Sequence, residues 1–188
     1  MSMSAFDQLR FMAHELGLAV NGRWWRWLTI WFGKGPGLTI SYRMDRFLYL
    51  LLGRSYGLFR PLFFPFFVLF RLLSANHEID YNADIGRGLR VLHPTLGVVV
   101  SGFTVAGENL TLTGGNCIGI RTKTPPGGIA IGSNVLLGAN AVVLGPVRIG
   151  DKCVIGAGAV VIHNAPSGSV LVGVPAREIQ SPEDLEQV

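Results

Sequence analysis

Four histidines, two cysteines and a handful of carboxylates are the residues of this chain able to do acid–base or nucleophilic chemistry. His93 stands apart from the other three. It is followed by Pro94 at a break in an otherwise regular pattern, and Glu78 and Asp80 precede it by fifteen and thirteen residues. A carboxylate that accepts a hydrogen bond from one imidazole nitrogen fixes the tautomer and leaves the other nitrogen as a base near neutral pH. Catalysis and a purely structural pair are both open to that combination. His14 lies in a helical stretch with no polar constellation around it, and His163 falls in a repeat turn, where a surface role is the simplest. Cys117 and Cys153 are too few and too plainly spaced for a disulfide framework or a zinc site, so no metal and a reducing compartment are expected. Cys153 sits on a regular small position and is assigned to packing.

The frame that must hold these groups is a six-residue repeat. From Ile131 to Pro166 aliphatic residues recur at Ile131, Leu137, Val143, Ile149, Ile155 and Val161. Four positions after each comes a small or β-branched residue: Val135, Ala141, Val147, Cys153, Ala159 and Ala165. A period of six fits neither a helix nor an alternating strand; it is the signature of a β-helix, whose short strands turn corners and stack on the coil below. Gly and Asn serve the corners because they tolerate unusual φ. The pattern starts at Ile79 and breaks twice, after His93 and again over Ile120 to Gly128, where Arg121, Lys123 and Pro125-Pro126-Gly127-Gly128 fall. Loops that leave a regular solenoid are where binding groups usually sit. About five coils are expected, with exposed faces and ends that favour oligomers.

The first 78 residues read as helices, with nine Lys/Arg against four Asp/Glu, while the remainder carries seven against eight. Phe6 to Val20 is an amphipathic helix with Phe6, Leu9, Met12, Ala13 and Leu16 on its apolar side. Residues 23–34 are rich in Trp and Arg, and residues 58–73 in Phe and Leu. Gly33 to Gly37 reads as a break, followed by a helix from about Ile40 to Leu52. Trp with Arg suits a membrane interface. The 58–73 run is shorter than the roughly 20 apolar residues of a spanning helix and holds Pro61 and Pro65. Peripheral membrane contact through 23–34 and 58–73, packing on partner subunits and insertion are all open. No secretory leader is recognisable, so the chain is expected in the cytoplasm, peripheral on the inner face of the membrane. The division is 1–78 helical segment, 79–175 β-helix domain and 176–188 tail; GSVLVGVPAREIQ should add a strand and a short helix.

EIDYNADIGRGLRVLHP, IGSNVLLGANAVVLGPVRIGDKCVIGAGAVV and GVPAREI resemble the hexapeptide-repeat acyltransferases, in particular their serine O-acetyltransferase branch. The likeness covers about residues 40 to 180. It implies a mainly β fold, a left-handed parallel β-helix with an N-terminal α-helical segment, assembled as a homotrimer that uses acetyl-CoA and no metal. It also implies that His93 is the catalytic base and Glu78 the carboxylate of its dyad, with Asp80 the second candidate. Ala139 and Ala157 match small positions along the pantetheine arm and Gly119 a glycine near the thioester. Arg121, Lys123 and Arg177 are candidate partners for CoA phosphates. Two departures bear on the acceptor. Where serine acetyltransferases carry an acid before the catalytic histidine this chain has Leu92, and the Arg-His pair that meets serine's carboxylate falls near Gly127-Gly128. A zwitterion left without charge partners loses several kcal/mol, so serine is disfavoured. The short, basic, aromatic N-terminus resembles the capsule and exopolysaccharide (colanic-acid type) members of the branch. The expectation is therefore an acetyl-CoA-dependent O-acetyltransferase acting on a sugar hydroxyl of a polymeric or lipid-linked glycan in polysaccharide biosynthesis; no nucleic acid is expected. Serine O-acetylation for cysteine synthesis and a non-catalytic scaffold at the membrane are the alternatives.

Overall fold

A computed structural model describes residues 3–20, 34–73 and 77–179. Among the described residues three α-helices precede a parallel β-helix: α1 (Ala5–Val20), α2 (Lys34–Leu52) and, after a 3-10 turn at Gly53–Ser55, α3 (Tyr56–Leu73). The first face of the prism stacks β1 (His77–Ile79), β4 (Val98–Val100), β7 (Asn116–Ile120), β10 (Val142–Gly145) and β13 (Val160–Val161). The second stacks β2 (Asp84–Ile85), β5 (Thr104–Ala106), β8 (Ile129–Ile131) and β11 (Val147–Ile149). The third stacks β3 (Arg90–Val91), β6 (Thr111–Leu112), β9 (Leu136–Leu137), β12 (Val154–Ile155) and β14 (Val170–Val172), and ends in β15 (Arg177–Glu178). Every pairing among these is parallel except that of β14 with β15.

The repeat explains the core. All six aliphatic positions from Ile131 to Val161 and all six small positions from Val135 to Ala165 are buried. Cys153 is among them, so its thiol is packing, as the repeat predicts. Corners need left-handed backbone, and at the edge between the second and third faces Asn109, Asn134 and Lys152 adopt positive φ. Asn109 Nδ2 donates to Asn134 Oδ1 at 3.0 Å, so successive corners also bond to each other.

Coil length records the two breaks. Regular coils repeat every 18 residues, as from Val142 to Val160. The first coil takes 21, from His77 to Val98, and the third takes 25, from Cys117 to Val142. The extra residues form a 3-10 turn at Pro94–Leu96 and the loop 121–128.

The helical segment departs from the sequence reading in two ways. α2 starts at Lys34, so Gly35, Pro36 and Gly37 form its first turn and not a break; proline is tolerated there because first-turn N–H groups have no helical partner. The face α1 buries is its polar one: Gln8 and Glu15 are buried, whereas Phe6 is 64% exposed. The reason is an ionic contact described below. α3 continues through both Pro61 and Pro65. The tail also differs: after β14 the chain turns back as an antiparallel hairpin into β15, in place of the short helix, because Gly173 at φ 91° makes a tight return. The Trp/Arg-rich stretch 23–32 lies outside the described residues.

The underside of the first coil exposes ladder groups with no coil beneath them, and side chains from the helices take them up. Arg43, on α2 and wholly buried, donates Nη1 to Ile85 O at 2.7 Å and Nη2 to Gly86 O at 2.7 Å. Its remaining N–H groups reach Glu15 Oε2 (3.1 Å), Glu15 Oε1 (2.6 Å) and Gln8 Oε1 (2.9 Å). Glu15 Oε1 in turn accepts from Gly88 N (3.1 Å) and Leu89 N (2.9 Å). Tyr42 Oη donates to Ala83 O and accepts from Ile85 N; burial pushes its hydroxyl pKa up to about 12. Arg46 adds a bond to Tyr81 O and an ion pair with Asp84 at 2.6 Å. Arg43, with every donor satisfied, is in the arrangement in which a buried ion pair is tolerated in a core, whereas Arg46 Nε is buried without a partner among the described residues.

Candidate functional site

Three edges run along the prism, and the edge between the third and first faces gathers His93, Ala139 and Ala157. His93 leaves β3 at this edge and is exposed. Its N–H donates to Thr113 O at 2.8 Å and its carbonyl accepts from Leu96 N at 3.1 Å, so its backbone is held on both sides while its ring is free to meet a ligand. Gly114, at φ 136°, has to be glycine: a Cβ there would lie 2.5 Å from His93 O. One coil further, Ala139 follows β9 at the same edge, and Ala157 follows β12 one coil beyond that. The two are consecutive rungs, with Gly158 N donating to Ala139 O at 2.8 Å. From His93 to Ala157 is three strand spacings, about 14 Å.

Glu78 lies in the middle of β1 on the first face, directly under Val99, with its carboxylate exposed. It is therefore one coil below the strand the chain enters after His93. Among the described residues no hydrogen bond or ion pair joins Glu78 to His93. Asp80 lies at the opposite edge, between the first and second faces, where Oδ1 accepts from Asn82 N (2.8 Å) and Nδ2 (3.0 Å) and closes a turn. Gly102 packs against that carboxyl; a Cβ there would come 2.9 Å from Asp80 Cγ. Gly119 sits on β7 beside Leu144 of the first face. Arg121 and Lys123 are exposed on the loop at the same edge as Asp80, away from His93 within one chain. Arg177 is exposed on the terminal hairpin.

Leu92, Leu96 and Val99, close to His93 in the chain, are exposed apolar residues. Gly127 and Gly128 bring no charge to the loop.

Sequence reading passed over a second group. Beside Glu78 a cavity of about 550 Å³ opens between α2, α3 and β1. Asp45 on its wall accepts a hydrogen bond from the Tyr56 hydroxyl and pairs with Arg60 at 3.4 Å. Burial raises the Asp45 carboxyl above its ordinary value, against the Tyr56 and Arg60 contacts that lower it. Burial, with the carboxylate of Asp45 next, likewise pushes the Tyr56 hydroxyl up. The signal was one acid in a helix otherwise basic and apolar; without knowing which faces of α2 and α3 meet, it reads as a solvated charge.

The family model described as bacterial transferase hexapeptide (six repeats) matches residues 128–163. The acetyltransferase WcaB assigned to colanic acid biosynthesis in Escherichia coli (strain K12) is 36% identical over 116 residues, which is 60% of this chain and 71% of that protein. Among solved structures, serine acetyltransferase (CysE) of Neisseria gonorrhoeae superposes with a TM-score of 0.71 at 26% identity, covering 97% of this chain and 70% of that one. A serine acetyltransferase in complex with CoA does so with a TM-score of 0.69 at 26% identity, over 93% of this chain and 72% of that one. Among the described residues no helix is long and apolar enough to cross a membrane. The match over most of a relative's length, on the same repeats that build the prism, makes this chain a member of the bacterial hexapeptide-repeat transferases and an acyltransferase.

Proposed function

We propose that the chain is an acetyl-CoA-dependent O-acetyltransferase acting on a sugar hydroxyl of a glycan in polysaccharide biosynthesis. The observation that carries this is the shared edge of His93, Ala139 and Ala157: a histidine followed, on the rungs above, by small residues against which an extended thioester arm can lie close to the backbone. A relative of the same fold holds CoA. His93 takes the proton of the attacking hydroxyl as its oxygen bonds to the thioester carbonyl carbon. The tetrahedral oxyanion is stabilised by backbone N–H groups near Gly119, then collapses with loss of the CoA thiolate. Glu78 orients the ring and stabilises the imidazolium, and is preferred to Asp80 because Asp80 already closes a turn at the far edge. Arg121, Lys123 and Arg177 meet CoA phosphates, the first two from a neighbouring prism of a homotrimer, since they project from a different edge than His93.

A sugar is favoured over serine by the uncharged Leu92 and Gly127-Gly128, which leave a zwitterion without charge partners. An acceptor screen with labelled acetyl-CoA tests this: label transferred to a glycan and lost in His93→Ala supports it, and turnover surviving in that variant ends it. Serine acetylation is the second reading, favoured by the solved relatives, and O-acetylserine formed at low millimolar serine would establish it. The exposed apolar residues of α3, with Leu58 80% and Leu62 75% exposed, support peripheral contact with a membrane that carries a lipid-linked acceptor. Cosedimentation of the full chain with anionic vesicles, lost in Leu58→Glu/Leu62→Glu, tests that contact.

A further inference from the structure

The cavity between α2, α3 and β1 is built by helical spacing. Ser41 and Asp45 on α2, and Gly57 and Pro61 on α3, are each four residues apart and line it from two sides. Glu78 and Asp80 line it from the prism, and the Tyr81 ring stands at its rim.

Among the described residues its polar lining is mainly acceptors, with the Ser41 and Tyr42 hydroxyls and the His77 ring beside them. Glu78 has no partner among the described residues. Asp80 Oδ1 serves Asn82, which leaves Oδ2 without one. Pro61 has no N–H, so the Gly57 carbonyl lacks its helical donor, and Pro65 does the same to the carbonyl of Pro61. These are acceptors. The cation, Arg60, is already occupied: its guanidinium lies 4.8 Å from the centre of the Tyr81 ring and 3.4 Å from Asp45. Pro61, Val68 and Ile79 supply apolar wall between the polar groups.

An acceptor-rich cavity with apolar walls fits a ligand that brings several O–H donors on a carbon ring. An anion is opposed by three carboxylates, which outnumber the neutralised Arg60 guanidinium and the His77 ring that line the cavity with them. A bound metal ion is opposed by geometry, since among the described residues no three acidic, histidine or cysteine groups converge to hold one. The space also accommodates a ring, because pockets of several hundred Å³ bury small ligands well.

We infer that this cavity binds a neutral pyranose and is the acceptor subsite of the transferase, next to Glu78; the acceptor role rests on the sugar O-acetyltransferase reading above. Gly57 is the opening: a Cβ there meets nothing within 4 Å, so a larger side chain at 57 can occupy the space without displacing the helix. Pro61 leaves the Gly57 carbonyl available to a ligand hydroxyl.

The test uses the full chain and a panel of methyl pyranosides (glucose, galactose, mannose, fucose and N-acetylglucosamine), followed by saturation-transfer NMR. Acceptor turnover with labelled acetyl-CoA is measured alongside. At least one glycoside should bind. Gly57→Leu should weaken that binding by about tenfold or more through steric exclusion. Pro61→Ala returns an N–H to the Gly57 carbonyl, which strengthens the helix yet should weaken the sugar about threefold. The acceptor KM should rise in parallel while the acetyl-CoA KM is unchanged. Absence of any glycoside signal on the wild type, or equal binding by the wild type and both variants, overturns the proposal. Glycoside binding that the variants abolish, without acetyl transfer by the wild type, upholds the pyranose cavity and sinks the transferase reading instead.

Discussion

Between Ile131 and Ala165 each coil satisfies the edge of the coil beneath it, whereas the first coil has only helices beneath it. The two regions meet the same demand with different chemistry. In the upper coils the interior is aliphatic and the backbone ladder repeats, so one six-residue rule supplies both. Below Ile85 to Leu89 no repeat is available, and the orphaned carbonyls and N–H groups bond to Arg43 and Glu15. Unpaired strand groups are costly wherever they are buried and hazardous wherever they are exposed. A periodic structure can therefore be extended by a simple code, but it must be ended by a specific one. His93 and the cavity beside Glu78 lie where the repeat breaks or where it meets the helices.

The comparison can be broken at either region. His93→Ala, at the first interruption, should lower kcat by ~10²–10⁴ with an unchanged thermal melt. A labelled-acetyl assay beside a circular-dichroism melt would read this, and a loss of stability in step with activity would move His93 into the frame. Arg43→Ala should destabilise the chain by about 3–5 kcal/mol in urea, because Glu15 is left buried and unpaired. The sharper experiment is Arg43→Leu with Glu15→Leu. Removing both members of an ordinary buried pair is often close to neutral, but here the double variant should stay as unstable as Arg43→Ala, since Ile85, Gly86, Gly88 and Leu89 keep orphaned backbone groups. Recovery would show that the pair serves only itself.

Ile155→Ala, in the regular stack, should cost about 2–4 kcal/mol by cavity formation without changing the acetyl-CoA KM. Asp45→Asn tests the cavity wall. The raised folded-state carboxyl holds its proton above the ordinary 3.8, so ionisation costs the folded state stability as pH rises from 3.8 through the raised value. The melting temperature of Asp45→Asn relative to wild type should therefore increase from pH 4 to pH 7; a decrease would mean that the Arg60 contact outweighs burial. Arg87→Ala removes a pair with Glu108 at 3.3 Å whose partners are each about half exposed, and should change stability by under about 1 kcal/mol.

Much of this molecule was readable in advance. The aliphatic and small positions from Ile131 to Val161 are buried as the period requires, and the interruptions at His93 and at 121–128 are where coils lengthen. Periodicity is a local property, and a strand that must face inward shows it in its own residues. The buried face of α1 was misread for the complementary reason. Gln8 and Glu15 look solvent-facing on any helical wheel, and their burial follows from a guanidinium 28 residues or more along the chain. Asp80, the second candidate beside Glu78, is placed just past the end of the strand, where its carboxyl closes a turn with Asn82.

By itself the sequence determined the prism and the points where it is interrupted, because each inward position states its requirement in its own side-chain size; the expected five coils come to about four turns because two coils are lengthened. Only the tertiary structure decided which helical face closes the first coil, that His93 shares an edge with Ala139 and Ala157, and that Asp45, Gly57 and Glu78 enclose one cavity. Those arrangements depend on which distant polar groups meet, and ion pairs and cavities carry no periodic trace in the chain that forms them.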